Sequence, residues 1–397
     1  MNNYRQLLAV CVLLLPFCLG GCGKRTSPKT NTMINWTKLQ DLPGAADTAS
    51  LGVSAPFAGI HNGVLIVAGG CNFPDKPVTE GGTKRYYSEI FALLPEGWKE
   101  IDQLPYPVAY GATVSTPEGI ICIGGNNSDS SLVEVSRISY DTDKGTIHLC
   151  ALPSLPSPMD NLSAAYDGQY VYVAGGNENG LPCHAFLRLN VKDTDKGWEK
   201  LPDFPGAARV QPVLAAQNSP NGMGIYLAGG FQPIQDNEAP IVSTDIYVFY
   251  PQDNTWQQET ALPLFDNGSN RSLTGGCAVS LGNDKILFMG GVNYDRFLNA
   301  LARPLQIAVA EAAQDTTTLD FLRTEAKAYM HHPVEWYQFN TSLLQYDTFT
   351  KEWSNLGEYE QLARAGAGAV IQDNHLIIIN GELKPGIRTP QVNQVDL

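Results

Sequence analysis

Six times along the chain an apolar run stops at a pair of turn-forming residues. Five runs end in Gly-Gly: Leu65–Gly70, Ile120–Gly125, Tyr170–Gly176, Ile225–Gly230 and Ile286–Gly291. The sixth, Leu376–Gly381, ends in Asn380-Gly381. The second glycines, at 70, 125, 176, 230, 291 and 381, lie 55, 51, 54, 61 and 90 residues apart. Self-similarity at a period near 50 is the mark of a repeat architecture, in which each unit buries its apolar faces only against its neighbours.

Each pair is followed by a variable loop and another strand-like stretch: Tyr87–Leu93, Val133–Tyr140, Ala185–Val191, Asp245–Tyr250, Ser342–Tyr346 and Gln391–Leu397. Trp98, Trp198, Trp256 and Trp353 mark a further strand, with Ile147-His148 in that place in the second repeat. A Leu-Pro and a small-residue strand then lead to the next run. Four strands repeated six times predict an all-β chain, a six-bladed β-propeller of the kelch type. The last repeat ends at Leu397 one strand short. Asn35–Leu39, with Trp36 and followed by Leu42-Pro43, has the missing pattern, so the N-terminal strand is expected to complete the last blade and remove its exposed edge. The long last step holds an insertion at about 296–334, helical by propensity at Leu298–Ala302 and Asp320–Tyr329. It is expected either to cap the channel or to pack on the rim.

Composition narrows the partners. The net charge of −14, from 26 Lys and Arg against 40 Asp and Glu, argues against nucleic acid or an anionic membrane surface as the main partner. A small anion held by local arginines stays open. At the N-terminus, Arg5 precedes an apolar stretch, Leu7–Leu19, and then Leu19-Gly20-Gly21-Cys22. This has the form of a bacterial lipoprotein signal over residues 1–21, with lipidation at Cys22 and a tether to residue 33. The expected place is the periplasm of a Gram-negative cell, anchored to the outer membrane and touching it only through the lipid. Among the remaining cysteines, Cys71, Cys122, Cys150, Cys183 and Cys277 are odd in number and irregular in spacing, which does not suit a disulfide framework.

In a kelch-like blade the loop entering the first strand and the loop leaving the second share one face. Leaving loops supply Asn72, Asn126, Asn177, Phe231, Asn293, Tyr294 and Glu382; entering loops supply Tyr110, Asn161, Arg209, Gln211, Arg271 and Arg364. Any single asparagine there is ordinary turn chemistry; as a set these groups suit a small, polar, anionic ligand. Glu382 stands out. It follows the last pair directly, and Lys384-Pro385-Gly386 can turn the chain and bring Arg388 back towards it. The adjacent His331-His332 lack an evident third ligand, so no metal and no cofactor is expected.

Ile379-Asn380-Gly381-Glu382-Leu383-Lys384-Pro385-Gly386-Ile387-Arg388-Thr389 resembles the signature of the N-acetylneuraminate epimerases, or sialic acid mutarotases, which are periplasmic kelch propellers. The resemblance extends to Phe204-Pro205-Gly206 with Arg209, to Gly290–Asn293 with the insertion, to Phe339-Asn340, and to Arg364–Val370. It covers essentially the whole mature chain, with the blades in circularly permuted order. It implies interconversion of the α and β anomers of N-acetylneuraminate, a small-molecule substrate, without a cofactor. Glu382 matches the general base and Arg388 the substrate-binding arginine. Arg209, Arg364, Arg271, Asn293, Tyr294 and Asn72 are the further binding candidates. A non-catalytic propeller that binds sialylated glycans or a protein partner is the alternative, and a sialidase a more distant one.

Overall fold

The glycine pairs are explained by their backbone. In the computed structural model, which describes residues 34–44 and 50–397, every member of the six pairs has a positive φ. Gly175 and Gly176 lie at 64° and 86°, Asn380 and Gly381 at 55° and 106°. Asparagine is among the few side chains that enter this region readily, which is why it can replace the first glycine. The second position is stricter. A Cβ on Gly176 would stand 2.4 Å from the Asp160 carbonyl oxygen. That closeness lets the Gly176 N–H reach the Arg209 carbonyl at 2.8 Å, as Gly70 reaches Val108 and Gly125 reaches Met159 in the sheets that follow them. Gly176→Ala is expected to lose about 1–3 kcal/mol from its φ alone, with the backbone clash adding to that. Asn380→Gly is expected to change little. Urea unfolding of both variants checks the pair.

The chain is mostly β. Sheet one is Phe57–His61, Val64–Ala68, Glu89–Leu94 and Gly97–Gln103; sheet two is Ala112–Thr116, Gly119–Ile123, Val135–Asp141 and Thr146–Leu152. Sheet three is Ser163–Tyr166, Tyr170–Ala174, Phe186–Asn190 and Trp198–Lys200; sheet four is Val213–Ser219, Gly222–Ala228, Ile246–Tyr250 and Thr255–Gln258. Sheet five is Cys277–Leu281, Lys285–Met289, Ser342–Asp347 and Trp353–Glu358. Sheet six joins Gly368–Gln372, His375–Ile379 and Val392–Asp396 to Trp36–Lys38. That last strand pairs Trp36 with Val395 and Lys38 with Asn393. The expected signal over 1–21, the lipidation at Cys22 and the tether to residue 33 lie outside the described residues.

Both faces of each sheet are buried, so the second strands read as continuous apolar runs. On sheet one, Ile66 and Ala68 pack towards sheet two, while Leu65 and Val67 pack towards Ile377 and Ile379 of sheet six. Six such clusters fill the six intervals between successive sheets, the interval from six back to one included. The tryptophans tie the outside. Trp98, Trp198 and Trp256 donate from Nε1 to the carbonyls of Gln40, Pro153 and Pro202, each beside a Leu-Pro turn or within it, at 2.8, 2.8 and 2.9 Å.

A closed circuit of main-chain hydrogen bonds encircles the channel at one mouth. Ala55 N–H donates to Gly366, Gly366 to Gly275, Gly275 to Gln211, Gln211 to Asn161, Asn161 to Tyr110, and Tyr110 back to Ala55, over 2.7–3.3 Å. All six residues have φ between 51° and 69°. Each immediately precedes a first strand, and small residues of those strands, such as Ala58, Ala112 and Gly368, line the channel below.

Between the second and third strands of sheet five stand helix α1 (Tyr294–Ala312), helix α2 (Thr316–Ala328) and the short α3 (Val334–Tyr337). The Asn293 side chain caps α1 by accepting from Arg296 N–H at 3.0 Å, a stabilising N-cap contact. The first helix runs well beyond the expected Ala302, through Pro304. The lost hydrogen bond there is offset by packing of α1 on α2, where Ala310 and Leu322 are buried.

Candidate active site

Sheet six delivers the Glu-Leu-Lys-Pro-Gly-Ile-Arg segment as a small hairpin. After Gly381 the chain forms Glu382–Lys384, turns at Pro385-Gly386, and returns as Ile387–Arg388, with Glu382 directly opposite Arg388. Gly386 has φ 86°, and a Cβ there would lie 2.4 Å from Val78. The turn is thus pressed against the loop of sheet one. Glu382 N–H donates to the Ala365 carbonyl at 2.7 Å and Ala365 N–H to that of Glu382 at 2.9 Å. Ala365 adjoins Gly366 of the hydrogen-bonded circuit, so Glu382 stands at the channel mouth.

The two charged side chains meet. Arg388 Nη2 lies 3.0 Å from Glu382 Oε2; Arg388 is only 3% exposed and Glu382 20%. Gly386 N–H donates to the other carboxylate oxygen at 3.2 Å. Burial raises the Glu382 carboxyl above its ordinary value, outweighing the opposing pull of Arg388, of the Gly386 N–H and of Lys84. Arg388 lies over the Phe73 ring at 5.0 Å, and its Nε and Nη1 have no hydrogen-bond partner among the described residues. A buried guanidinium with unspent donors is suited to a second anion.

Lys384, within the same hairpin, points to the insertion. Its ammonium donates to the carbonyls of His332 at 2.6 Å and Met330 at 3.4 Å. Helix α3 packs against Glu382–Lys384, so the insertion adjoins the hairpin that carries the carboxylate. His332 stacks on Trp336 at 3.9 Å. Among the described residues no group of three or more His, Cys, Asp or Glu side chains is arranged to hold a metal ion.

The arginines of the entering loops are held by partners from the sheets, with the Nε of Arg271 and of Arg364 left without a partner among the described residues. Arg209 is fully buried; Nη1 and Nη2 lie 3.0 and 3.3 Å from the Asp245 carboxylate, and Nη1 also donates to the Gly229 carbonyl. Arg271 bonds the Ser342 hydroxyl and lies over Phe265 at 3.7 Å. Arg364 donates to the carbonyls of Asn380 and Gln391, each at 3.0 Å, and burial pulls it down to about 10. Buried guanidinium groups need such partners, and here the partners come from the sheets. Asn72 is also engaged, donating to the Gly52 carbonyl and accepting from the Tyr87 hydroxyl. Asn293 is the α1 cap, and Tyr294 opens that helix.

Three groups beside Glu382 escaped the sequence reading as site residues. Lys84 comes from the loop before Arg85–Tyr86, which pairs with Cys71–Asn72. Its Nζ lies 3.3 Å from the Tyr110 hydroxyl and 4.9 Å from that ring's centre. Cys71, fully buried, lies near the same hydroxyl and has its thiol pushed up by burial. Tyr110 carried a signal, as a member of the entering-loop set; Lys84 follows Gly-Gly-Thr in an unpatterned loop and carried none.

A family model described as N-acetylneuraminate epimerase matches residues 24–147 and 152–397. The N-acetylneuraminate epimerase of Haemophilus influenzae (strain PittEE) is 34% identical over 242 residues, 61% of this chain and 58% of that protein. That of Pasteurella multocida (strain Pm70) is 32% identical over 238 residues, 60% of this chain and 57% of that protein. The matched stretch therefore spans less than two thirds of these curated relatives. A solved structure described as "Structure of YjhT" is 28% identical, with a TM-score of 0.48, over 60% of this chain and 62% of that one.

Proposed function

Since the chain belongs to the N-acetylneuraminate epimerase family, we propose that it interconverts the α and β anomers of N-acetylneuraminate by opening and reclosing the sugar ring. The six sheets are read as blades of one kelch-type β-propeller over residues 34–397, with the helices as an insertion at its mouth. Support comes from the circuit of hydrogen bonds and from the apolar cluster between sheets six and one.

The observation that carries the reaction is the Glu382–Arg388 pair at the channel mouth. The substrate bears a carboxylate on its anomeric carbon. Arg388 has donors to hold that carboxylate, which sets the anomeric hydroxyl beside Glu382. Glu382 then removes the hydroxyl proton as general base, a step worth about 10²–10⁴-fold, and the arginine grip supplies orientation. The open ketone rotates and recloses on its other face. Proton NMR of freshly released α-N-acetylneuraminate tests this. Equilibration faster than in buffer supports catalysis; saturable signal shifts at an unchanged rate would instead establish a binding propeller.

The acid limb of the pH–rate profile follows from the Glu382 carboxyl. Its value in the folded protein lies above the ordinary 4.5. The base is therefore ionised, and the rate full, only above that raised value, and activity falls as pH drops through it. Arg388→Met removes the main charge opposing the shift, so its inflection is expected at still higher pH. The sign for stability is opposite. A raised carboxyl favours the fold at low pH, and that contribution is lost as pH rises from 4.5 through the folded value. For its location, the leader pattern and Cys22 support a lipid-anchored protein of the periplasm.

A further inference from the structure

We propose that the phenol of Tyr110, backed by the ammonium of Lys84, is the acid that protonates the sugar ring oxygen while Glu382 takes the anomeric proton. This rests on the mutarotase reading, which names a base and leaves the second proton unassigned.

The placement comes from the hydrogen-bonded circuit. Gly366, Ala55 and Tyr110 are consecutive members of it. Gly366 adjoins Ala365, which holds the Glu382 backbone. Base and phenol thus flank sheet one, and the member between them carries only a methyl group. The other members are Asn161, Gln211 and Gly275, so Tyr110 is the one aromatic of the six. It holds a φ of 60°, a conformation uncommon for a bulky residue and often retained where a side chain must be aimed. Its N–H and carbonyl are both fixed in the circuit, at 3.1 and 2.7 Å.

The charges around it suit a donor. Lys84 approaches the hydroxyl at 3.3 Å. Around Lys84 stand Tyr86 of its own hairpin at 5.9 Å, Tyr110 and Cys71, with the Glu382–Arg388 pair across from sheet six. Burial, with Cys71 and Glu382 adding to it, drives the Tyr110 phenol upward. It therefore stays protonated, as a donor must. Cys71 is held as a thiol by burial and does not compete as an anion.

The protons balance. On opening, Glu382 takes the anomeric hydroxyl proton and the bond from anomeric carbon to ring oxygen breaks. The ring oxygen takes that electron pair and the phenol proton, and the phenol oxygen takes a proton from Lys84. On reclosure the released hydroxyl attacks the opposite face of the ketone and returns its proton to Tyr110, which restores Lys84. Glu382 gives its proton back to the carbonyl oxygen. Tyr110 is a catalytic residue in this scheme; Lys84 acts through it.

The test compares native protein, Glu382→Gln, Tyr110→Phe, Lys84→Met and Lys84→Arg by NMR exchange between anomer signals across pH. Tyr110→Phe is expected to lower kcat about 10²-fold with KM nearly unchanged. Lys84→Met is expected to lower kcat by a smaller factor with KM nearly unchanged, and Lys84→Arg to restore most of it. A Tyr110→Phe variant with native kcat overturns the proposal. If that variant fails to fold, a native kcat in Lys84→Met does the same. No acceleration by the native protein sinks the mutarotase reading and this proposal together. Acceleration lost in Glu382→Gln yet kept in Tyr110→Phe sinks this proposal alone.

Discussion

Glu382→Gln is expected to lower the catalysed anomerisation rate by about 10²–10⁴-fold while the protein still folds. The amide keeps the carboxylate's shape, and its oxygen can still accept from Arg388 Nη2 or Gly386 N–H. What it loses is the capacity to take a proton. The native carboxylate is a burden on the fold at neutral pH, since burial opposes its ionisation. Removing the charge relieves that burden but leaves Arg388 less well paired, so the net change in urea midpoint is expected to be small. Anomer exchange by NMR and urea unfolding on one preparation read both effects. A variant with the native rate would remove Glu382 from the role of base.

Arg209→Met is expected to cost about 3–5 kcal/mol of stability, the usual result of removing one partner from a buried ion pair. The guanidinium is fully buried and spans Asp245 and the carbonyls of Gly229 and Ala207. Gly229 belongs to a glycine pair, so the arginine ties the loop entering sheet four to the left-handed turn after that sheet's second strand. The substitution strands Asp245, which is partly exposed at 27% and can recover some solvation; this favours the lower end of the range. The measurement is a denaturation midpoint. A variant of native stability that had lost sugar affinity would return Arg209 to the binding site.

Much of this was legible because it rests on local chemistry. Glycine pairs, tryptophans and Leu-Pro turns announce themselves, since each meets a backbone or packing need at a fixed place in every repeat. The Glu382–Arg388 meeting was legible because Pro385-Gly386 makes a tight turn and a tight turn makes cross-strand neighbours. The partners of the entering-loop arginines were not legible, for the opposite reason. The partner of Arg209 is Asp245, 36 residues away, and no spacing rule joins the loop entering a sheet to the carboxylate that precedes its third strand. Lys84 was missed because an irregular loop has no period to reveal where its tip points. The length of α1 was missed because Pro304 reads as a stop, and only its packing on α2 shows otherwise.

The strand Trp36–Lys38 is made long before its partner Val392–Asp396. Sheets one to five are contiguous in sequence and can assemble as they emerge during synthesis. Until the segment Gly368–Asp396 is made, the growing protein is an open arc. One bare flank carries Leu65 and Val67, the other Leu287, Met289 and Leu343. Either flank can be met by the complementary flank of another nascent arc as readily as by its own far end. Dilution favours self-closure, and crowding favours chains joined end to end through exchanged strands.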